Sequence, residues 1–243
     1  MKISVITISY NSSATIKQTL KSVQKQTYNN IEHIVVDGKS NDNTIQICNN
    51  FNHISKIISE SDMGVYDAFN KGLKLASGEI IGFLNSDDVF YDKHSIEKIS
   101  EKFDEQTDCI FANLDYVNKK GKVVRKWRSK PYQRNAFSKG WMPAHPTFYC
   151  RKSIYDELGG YDDSFEIAGD FELMLRFLEK NNIRSKFIDL TLVKMMAGGI
   201  SNNGIASKAK IIKEEQRAFK QNKIGFSFFQ YFFNKVFKIK EFF

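Results

Sequence analysis

Apolar positions in the first ninety residues fall into short runs, and each run ends in polar, turn-forming residues. Ile3-Ser4-Val5-Ile6-Thr7-Ile8-Ser9 alternates and gives way to Tyr10-Asn11-Ser12-Ser13; this predicts a strand, a turn and a helix start. The helix continues through Ile16, Leu20 and Val23. A second strand, Ile31 to Val36, ends in Asp37-Gly38-Lys39-Ser40-Asn41-Asp42 and precedes a helix holding Thr44, Ile45 and Ile47. A third, Lys56 to Ser59, leads through Glu60-Ser61-Asp62-Met63-Gly64 into a helix that Ser77-Gly78 closes. The run Glu79 to Ser86 then reads as a fourth, buried strand. Strands alternating with helices predict an α/β fold built on a parallel sheet. Such sheets collect ligands at the carboxyl ends of their strands. Acidic residues recur at those ends: Asp37, then Asp87-Asp88.

Two adjacent carboxylates past a buried strand present hard oxygen ligands suited to Mg²⁺ or Mn²⁺ beside a substrate phosphate. A solvated turn is the plainer reading of the same pair. Further along, Phe171, Met174, Leu175 and Leu178 recur at helical spacing after Asp170, with Arg176 and Lys180 toward the helix end. Asp170 therefore stands at a helix start, where it caps the helix, acts as a base, or does both. Between these sites, Lys139 to Tyr149 holds two of the three prolines and Trp141. That stiff, aromatic and polar segment suits sugar rings, although Trp141 serves equally as a core anchor and His145 as a structural histidine. Met195 to Gly204, with its glycines, Ser and Asn residues, reads as a mobile loop or an ordinary connector.

Composition narrows the class. The 243 residues, 42% of them hydrophobic, can bury one substantial core. Cys48, Cys109 and Cys150 are odd in number and far apart, which argues against a disulfide framework and a zinc site and fits a reducing cytoplasm. No signal peptide and no membrane-spanning run is read. The net charge of +8 concentrates toward the end, where Ala206 to Phe243 holds nine Lys or Arg, three Glu and nine Phe. Phe226, Phe229, Phe232, Phe233, Val236 and Phe237 share one helical arc, with Lys235 and Lys238 opposite. A helix of that kind suits peripheral contact with an anionic membrane, or docks onto the catalytic part or another subunit as an oligomer contact. Nucleic acid is excluded as partner because no binding motif accompanies the charge.

Six spaced segments carry a family resemblance: Ser4 to Asn11, Val36 to Asp42, Asn70-Lys71-Gly72, Ala76 to Ile80, Leu84-Asn85-Ser86-Asp87-Asp88, and Gly169-Asp170-Phe171-Glu172-Leu173. In this order they resemble family 2 glycosyltransferases of the GT-A fold, over about residues 1 to 200. The resemblance implies a GT-A-like, Rossmann-related mixed, mainly parallel sheet flanked by helices, with a C-terminal helical tail. It implies a catalytic domain over 1–204, its nucleotide-binding part about 1–116 and its acceptor-side part about 117–204, followed by a basic tail over 205–243. It also implies transfer of a sugar, with inversion, from a nucleotide diphosphate donor such as a UDP-sugar to a saccharide or lipid-linked acceptor of bacterial surface polysaccharide synthesis, at the inner face of the membrane. By residue match, Tyr10, Asp37, Asp62, Lys71 and Asp87 bind the nucleotide-sugar and Asp88 the divalent metal, Mn or Mg. Asp170 is then the catalytic base, and Trp141 and His145 lie on the acceptor side. The family commonly carries Glu-Asp where this chain has Gly169-Asp170, which leaves Glu166 and Glu172 as alternative acids. A nucleotidyltransferase would want a glycine-rich basic signature near the amino terminus, and Tyr10-Asn11-Ser12-Ser13 lacks one. A catalytically silent binding module would have little use for Asp37, Asp87, Asp88 and Asp170 together.

Overall fold

A computed structural model describes residues 1–198, 204–225 and 231. The chain begins with three strand-helix units: β1 (Ile3–Ser9), α1 (Ile16–Gln24), β2 (Ile31–Asp37), α2 (Thr44–Cys48), β3 (Ile54–Ser59) and α3 (Val65–Leu75). There follow β4 (Ile80–Phe83), β5 (Val89–Phe90), α4 (Ser95–Ser100), β6 (Cys109–Val117), β7 (Val123–Trp127), β8 (Tyr149–Arg151) and α5 (Lys152–Leu158). The last elements are α6 (Gly169–Met174), widened into a π-type turn over Leu175–Lys180, then β9 (Ser185–Met196) and α7 (Gly204–Gln221).

One sheet joins the strands in the order β3-β2-β1-β4-β8-β6-β9-β5, with β7 added to β6. β1 pairs in parallel with β2 on one side and β4 on the other, so the strand order reverses beside it. β8 is antiparallel to both β4 and β6. β6 therefore runs with β4, and β9 runs parallel to β6. The predicted mixed, mainly parallel α/β sheet is the one observed, and the carboxyl ends of β1, β2, β4 and β6 share one edge.

Alternation along β1 shows why its apolar run is nearly continuous: Ile6 and Ile8 enter one buried cluster, Ile3 and Val5 another on the opposite face. α1 closes a third cluster by burying Ile16 and Leu20 against Val35 and Cys48. Each such side chain contributes about 1.5–3 kcal/mol. All three cysteines are free and buried, in line with their reading as framework-free residues.

The second half departs from the sequence reading at the end of β9. Met195 and Met196, read as the start of a loop, finish β9, whose Tyr116–Met195 and Val117–Met196 register extends the sheet. Of that expected loop only Ala197 and Gly198 follow as a turn, because residues 199–203 lie outside the described set. α7 packs against α6 and places Ala218 and Phe219 in the same core as Phe171 and Phe177. The predicted aromatic arc from Phe226 to Phe237 also lies outside the described residues. Tyr231 is described: it is buried, with its ring 5.9 Å from that of Phe219. No described helix is long and apolar enough to cross a membrane.

Candidate functional site

The turns after β1 and β2 are locked together. Asn11 donates its backbone N–H to Ser40 Oγ at 2.8 Å, Asn41 donates to Asn11 Oδ1 at 3.0 Å, and Ser12 donates to Thr44 Oγ1 at 2.8 Å. Asp37, the last residue of β2, is fully buried at the centre of this arrangement. Its carboxylate accepts from Ser9 Oγ (3.1 Å), Ser40 N (2.8 Å), Ser40 Oγ (2.5 Å) and Ser59 Oγ (2.7 Å). Asp37 thus ties together the carboxyl ends of β1, β2 and β3. On the surface above it, a Cβ at Gly38 would lie 2.5 Å from Asp62 Oδ2 and 3.4 Å from Tyr10 Cδ2. Glycine is therefore what lets Tyr10 and Asp62 approach each other. Tyr10 is 65% exposed, a flat apolar face open to solvent. Lys71 braces the loop that carries Asp62: its Nζ donates to the Ser61 carbonyl at 2.7 Å and pairs with Glu60 and Asp67, each at 3.2 Å.

β4 runs out into a tight turn closed by Asp88 N–H donating to the Asn85 carbonyl at 3.0 Å and tied to the β1 turn by Ser86 Oγ and Ser12 Oγ at 2.8 Å. Asp88 is fully buried and neither carboxylate oxygen meets a donor at hydrogen-bond geometry. Burial, reinforced by the charge of Asp87, pushes its carboxyl well above the ordinary range; the nearby Met196 amide opposes this without reversing it. Asp87 is also raised by burial, although its own amide and the nearby His145 pull it down. A buried carboxylate without partners is strongly disfavoured unless a cation reaches it. Among the described residues no group of three or more His, Cys, Asp or Glu side chains is placed to hold a metal ion by itself. A divalent ion at Asp88 would draw one or two carboxylates from protein and its other ligands from phosphate and water.

Asp170 faces this pair from α6. Its Oδ2 lies 3.2 Å from His145 Nδ1, and His145 in turn is close enough to Asp87 to influence its ionisation. Tyr116, near the end of β6, is held above the ordinary phenol range by burial against the opposing pull of Arg125, with the charges of Asp88 and Asp170 adding to the rise. Asp87, Asp88, His145, Tyr116 and Asp170, drawn from four separate segments of the chain, therefore lie near one another at the carboxyl edge of the sheet.

The family profile described as "Glycosyl transferase family 2" matches residues 4–185. The chain belongs to glycosyl transferase family 2. An uncharacterized glycosyltransferase of Mycobacterium tuberculosis is 32% identical over 191 residues, covering 72% of this chain and 68% of that protein. A PGL/p-HBAD biosynthesis glycosyltransferase of Mycobacterium bovis is 25% identical over 206 residues, covering 82% of this chain and 78% of that protein. Among solved structures, residues 1–349 of S. aureus TarS in complex with UDP-GlcNAc superpose with a TM-score of 0.71 at 21% identity, covering 90% of this chain and 66% of that one. A mannosyltransferase of Pyrobaculum calidifontis in complex with GDP-Man and Mn2+ superposes with a TM-score of 0.68 at 17% identity, covering 90% of this chain and 63% of that one. These likenesses establish the shared GT-A fold. The chain spans about two thirds of the length of these solved chains.

Within this family 2 glycosyltransferase, the sequence-predicted residues divide into those near Asp88 at the sheet edge and those elsewhere. Asp87, Asp88, His145 and Asp170 converge, while Tyr10 and Asp62 adjoin at Gly38. Trp141 packs into an aromatic cluster, its ring 5.6 Å from Phe111, 5.6 Å from Tyr132 and 5.3 Å from Phe137, and so lies partly buried against the core. The alternative acids are otherwise engaged. Glu172 is buried and bound by Arg176 Nε at 3.0 Å and Asn222 Nδ2 at 3.1 Å; Glu166 is exposed and pairs with Lys210. The departure to glycine at 169 has a steric cause, since a Cβ there would lie 2.7 Å from the Tyr66 ring. Tyr66 needs that place: its hydroxyl donates to the Ile167 carbonyl at 2.7 Å and receives the Asp170 N–H at 3.4 Å.

One residue escaped the sequence reading. Glu214, buried on α7, accepts the backbone N–H groups of Glu166 (3.0 Å), Ile167 (2.9 Å) and Ala168 (2.8 Å), the turn that leads directly into α6. A carboxylate receiving consecutive amides at a helix start satisfies donors that the helix itself leaves unpaired. Asp170, by contrast, turns its Oδ1 to the Phe171 N–H at 2.8 Å and keeps Oδ2 for His145. With Glu214 serving the preceding turn, Asp170 commits one oxygen to the backbone and the other to His145.

Proposed function

We propose that this protein is an inverting glycosyltransferase that moves a sugar from a uridine diphosphate donor to a hydroxyl of a saccharide acceptor, lipid-linked, in bacterial surface polysaccharide synthesis. The observation that carries this reading is the buried, unpartnered Asp88 beside Asp87, joined through His145 to Asp170. Asp88, with Asp87, would hold a divalent Mn or Mg ion, which supplies electrostatic stabilisation of the diphosphate as it leaves. Tyr10 offers a face for the base, and Asp62 stands beside it on a loop fixed by Lys71. Asp37 supports this pocket from below through its serine contacts. UDP-GlcNAc in the TarS complex and GDP-Man with Mn2+ in the mannosyltransferase complex support a nucleotide-sugar donor and a metal by analogy of fold.

Single displacement with inversion needs a base opposite the departing phosphate, and Asp170 is the acid of α6 that lies near Asp87 and Asp88. Its Oδ2 accepts the acceptor's proton as the new bond to the anomeric carbon forms, while His145 holds the carboxylate in place. Asp170→Asn keeps size and hydrogen bonding yet lacks a basic oxygen. Turnover should fall roughly a hundredfold or more with donor affinity nearly unchanged. Collapse of donor affinity, measured by UDP titration, would instead make Asp170 a nucleotide ligand.

A further inference from the structure

The densest charge of the described structure lies away from the C-terminal segment. Residues 119–134 hold Lys119, Lys120, Lys122, Arg125, Lys126, Arg128, Lys130 and Arg134 and no Asp or Glu. They form the β6–β7 hairpin and the segment after it, and the hairpin tip is built to hold its shape. Asn118 Oδ1 accepts the N–H groups of Lys120 and Lys122, each at 3.0 Å, while Asn118 N–H donates to the Lys122 carbonyl at 3.0 Å. Gly121 takes the φ of +75° that closes the turn. Three lysines are thereby presented side by side on a fixed loop.

The two faces of β7 differ. Arg125 and Trp127 turn inward, Arg125 lying 4.9 Å above the Tyr116 ring and 5.6 Å from that of Trp127. Val124 and Lys126 turn outward, and Val124 is 53% exposed. Arg128 is the basic residue here with a carboxylate partner, Asp115 at 2.7 Å. Among the described residues Lys119, Lys120, Lys122, Lys126 and Lys130 have no such ion pair. Val123, at the tip, is 37% exposed. Val123 and Val124, both exposed on an edge strand, adjoin these lysines and add apolar surface to a basic rim. A flat anionic surface with a hydrocarbon layer beneath satisfies both parts, whereas a soluble polyanion has no use for the valines.

Direction in the sheet adds the second half of the argument. Because β6 runs with β4, its carboxyl end and the hairpin tip lie at the same edge as Asp87 and Asp88. Tyr116, two residues before the turn, lies within reach of the charges of both Asp88 and Asp170. We propose that the β6–β7 hairpin docks the protein on an anionic phospholipid surface and so turns the sheet edge that holds Asp87 and Asp88 toward acceptors carried in that surface.

The test uses the full chain with vesicles of phosphatidylglycerol and phosphatidylcholine, compared with phosphatidylcholine alone. Each lysine near such a surface strengthens binding roughly fivefold, so K119Q/K120Q/K122Q should sediment about a hundredfold more weakly. Its thermal midpoint should match wild type, and raising salt should weaken wild-type binding. Val124→Ser should weaken binding less, with the salt dependence retained. The proposal is overturned if the triple variant binds as well as wild type, or if phosphatidylcholine alone binds equally. It is also overturned if the protein binds soluble polyphosphate but not the vesicles, since the hairpin would then receive a polyanionic chain. Loss of binding in K235Q/K238Q, with the hairpin triple intact, would place docking in the C-terminal segment instead.

Discussion

Two carboxylates at the carboxyl edge of this sheet are equally inaccessible to solvent, and they are opposites. Asp37 and Asp88 are both 0% exposed. Asp37 receives four hydrogen bonds from Ser9, Ser40 and Ser59, whereas neither oxygen of Asp88 receives any at hydrogen-bond geometry. A buried charge with a full set of donors joins the strands that supply them. One without donors raises the free energy of the empty site and lowers it again when a cation arrives. Burial alone does not separate the two carboxylates, whereas the count of donors each one receives does.

The sharpest way to break this comparison is to remove each carboxylate in turn. Asp88→Ala should reduce turnover about a thousandfold or more and abolish metal-dependent stabilisation by UDP, while the thermal midpoint of the ligand-free protein stays level or rises. A fall in that midpoint matching the Asp37 variant would sink the distinction. Asp37→Ala should lose about 3 kcal/mol of stability in urea unfolding, because three serines around it lose their acceptor in a dry site. Unchanged stability with lost nucleotide affinity would make Asp37 a base ligand and not a tie.

A third buried titratable group, His33 on β2, sharpens the contrast through pH. Its Nε2 pairs with Thr7 Oγ1 at 3.0 Å and its Nδ1 with His53 Nε2 at 3.0 Å. Burial and then His53 lower it from 6.5 to about 3. The folded protein thus keeps His33 neutral where the unfolded chain takes up a proton. Its contribution to stability is complete above pH 6.5 and is lost progressively as pH falls toward about 3. Between pH 6.5 and 5 this amounts to about 2 kcal/mol. Chemical denaturation across that range checks it, and a flat profile refutes the neutral histidine. Smallest of the four is Glu214→Gln, which should slow turnover about tenfold without altering donor affinity, since one acceptor of three amides loses its charge. Equal losses in donor affinity and turnover would show a general loosening instead.

What the sequence disclosed and what it withheld follow the reach of the interactions. The first three strand-helix units are written locally, in alternation, turn residues and caps, and the predicted helix start at Asp170 stands at the beginning of α6. Asp87-Asp88 drew attention because two acids after an apolar run are conspicuous in one dimension. The hairpin of β6 and β7 was not, because six of the ten residues from Lys119 to Arg128 are basic and the segment shows no hydrophobic alternation. The serine ties of Asp37 depend on residues 28, 3 and 22 positions away. Glu214 lies 46 to 48 positions from the amides it receives, and nothing near it in sequence marks it out. Gly169 looked like a missing acid and proved to be room for the Tyr66 ring.

The dependence of α6 on α7 has a consequence for the order of synthesis. β1 to β4 and the strands they pair with all precede residue 170 in the chain. The turn ahead of Asp170 must wait for Glu214, which arrives only after β9 has been made. A nascent chain can therefore assemble the parallel half of its sheet while α6 remains unseated, and the turn ahead of Asp170 is fixed last, when α7 folds back against α6.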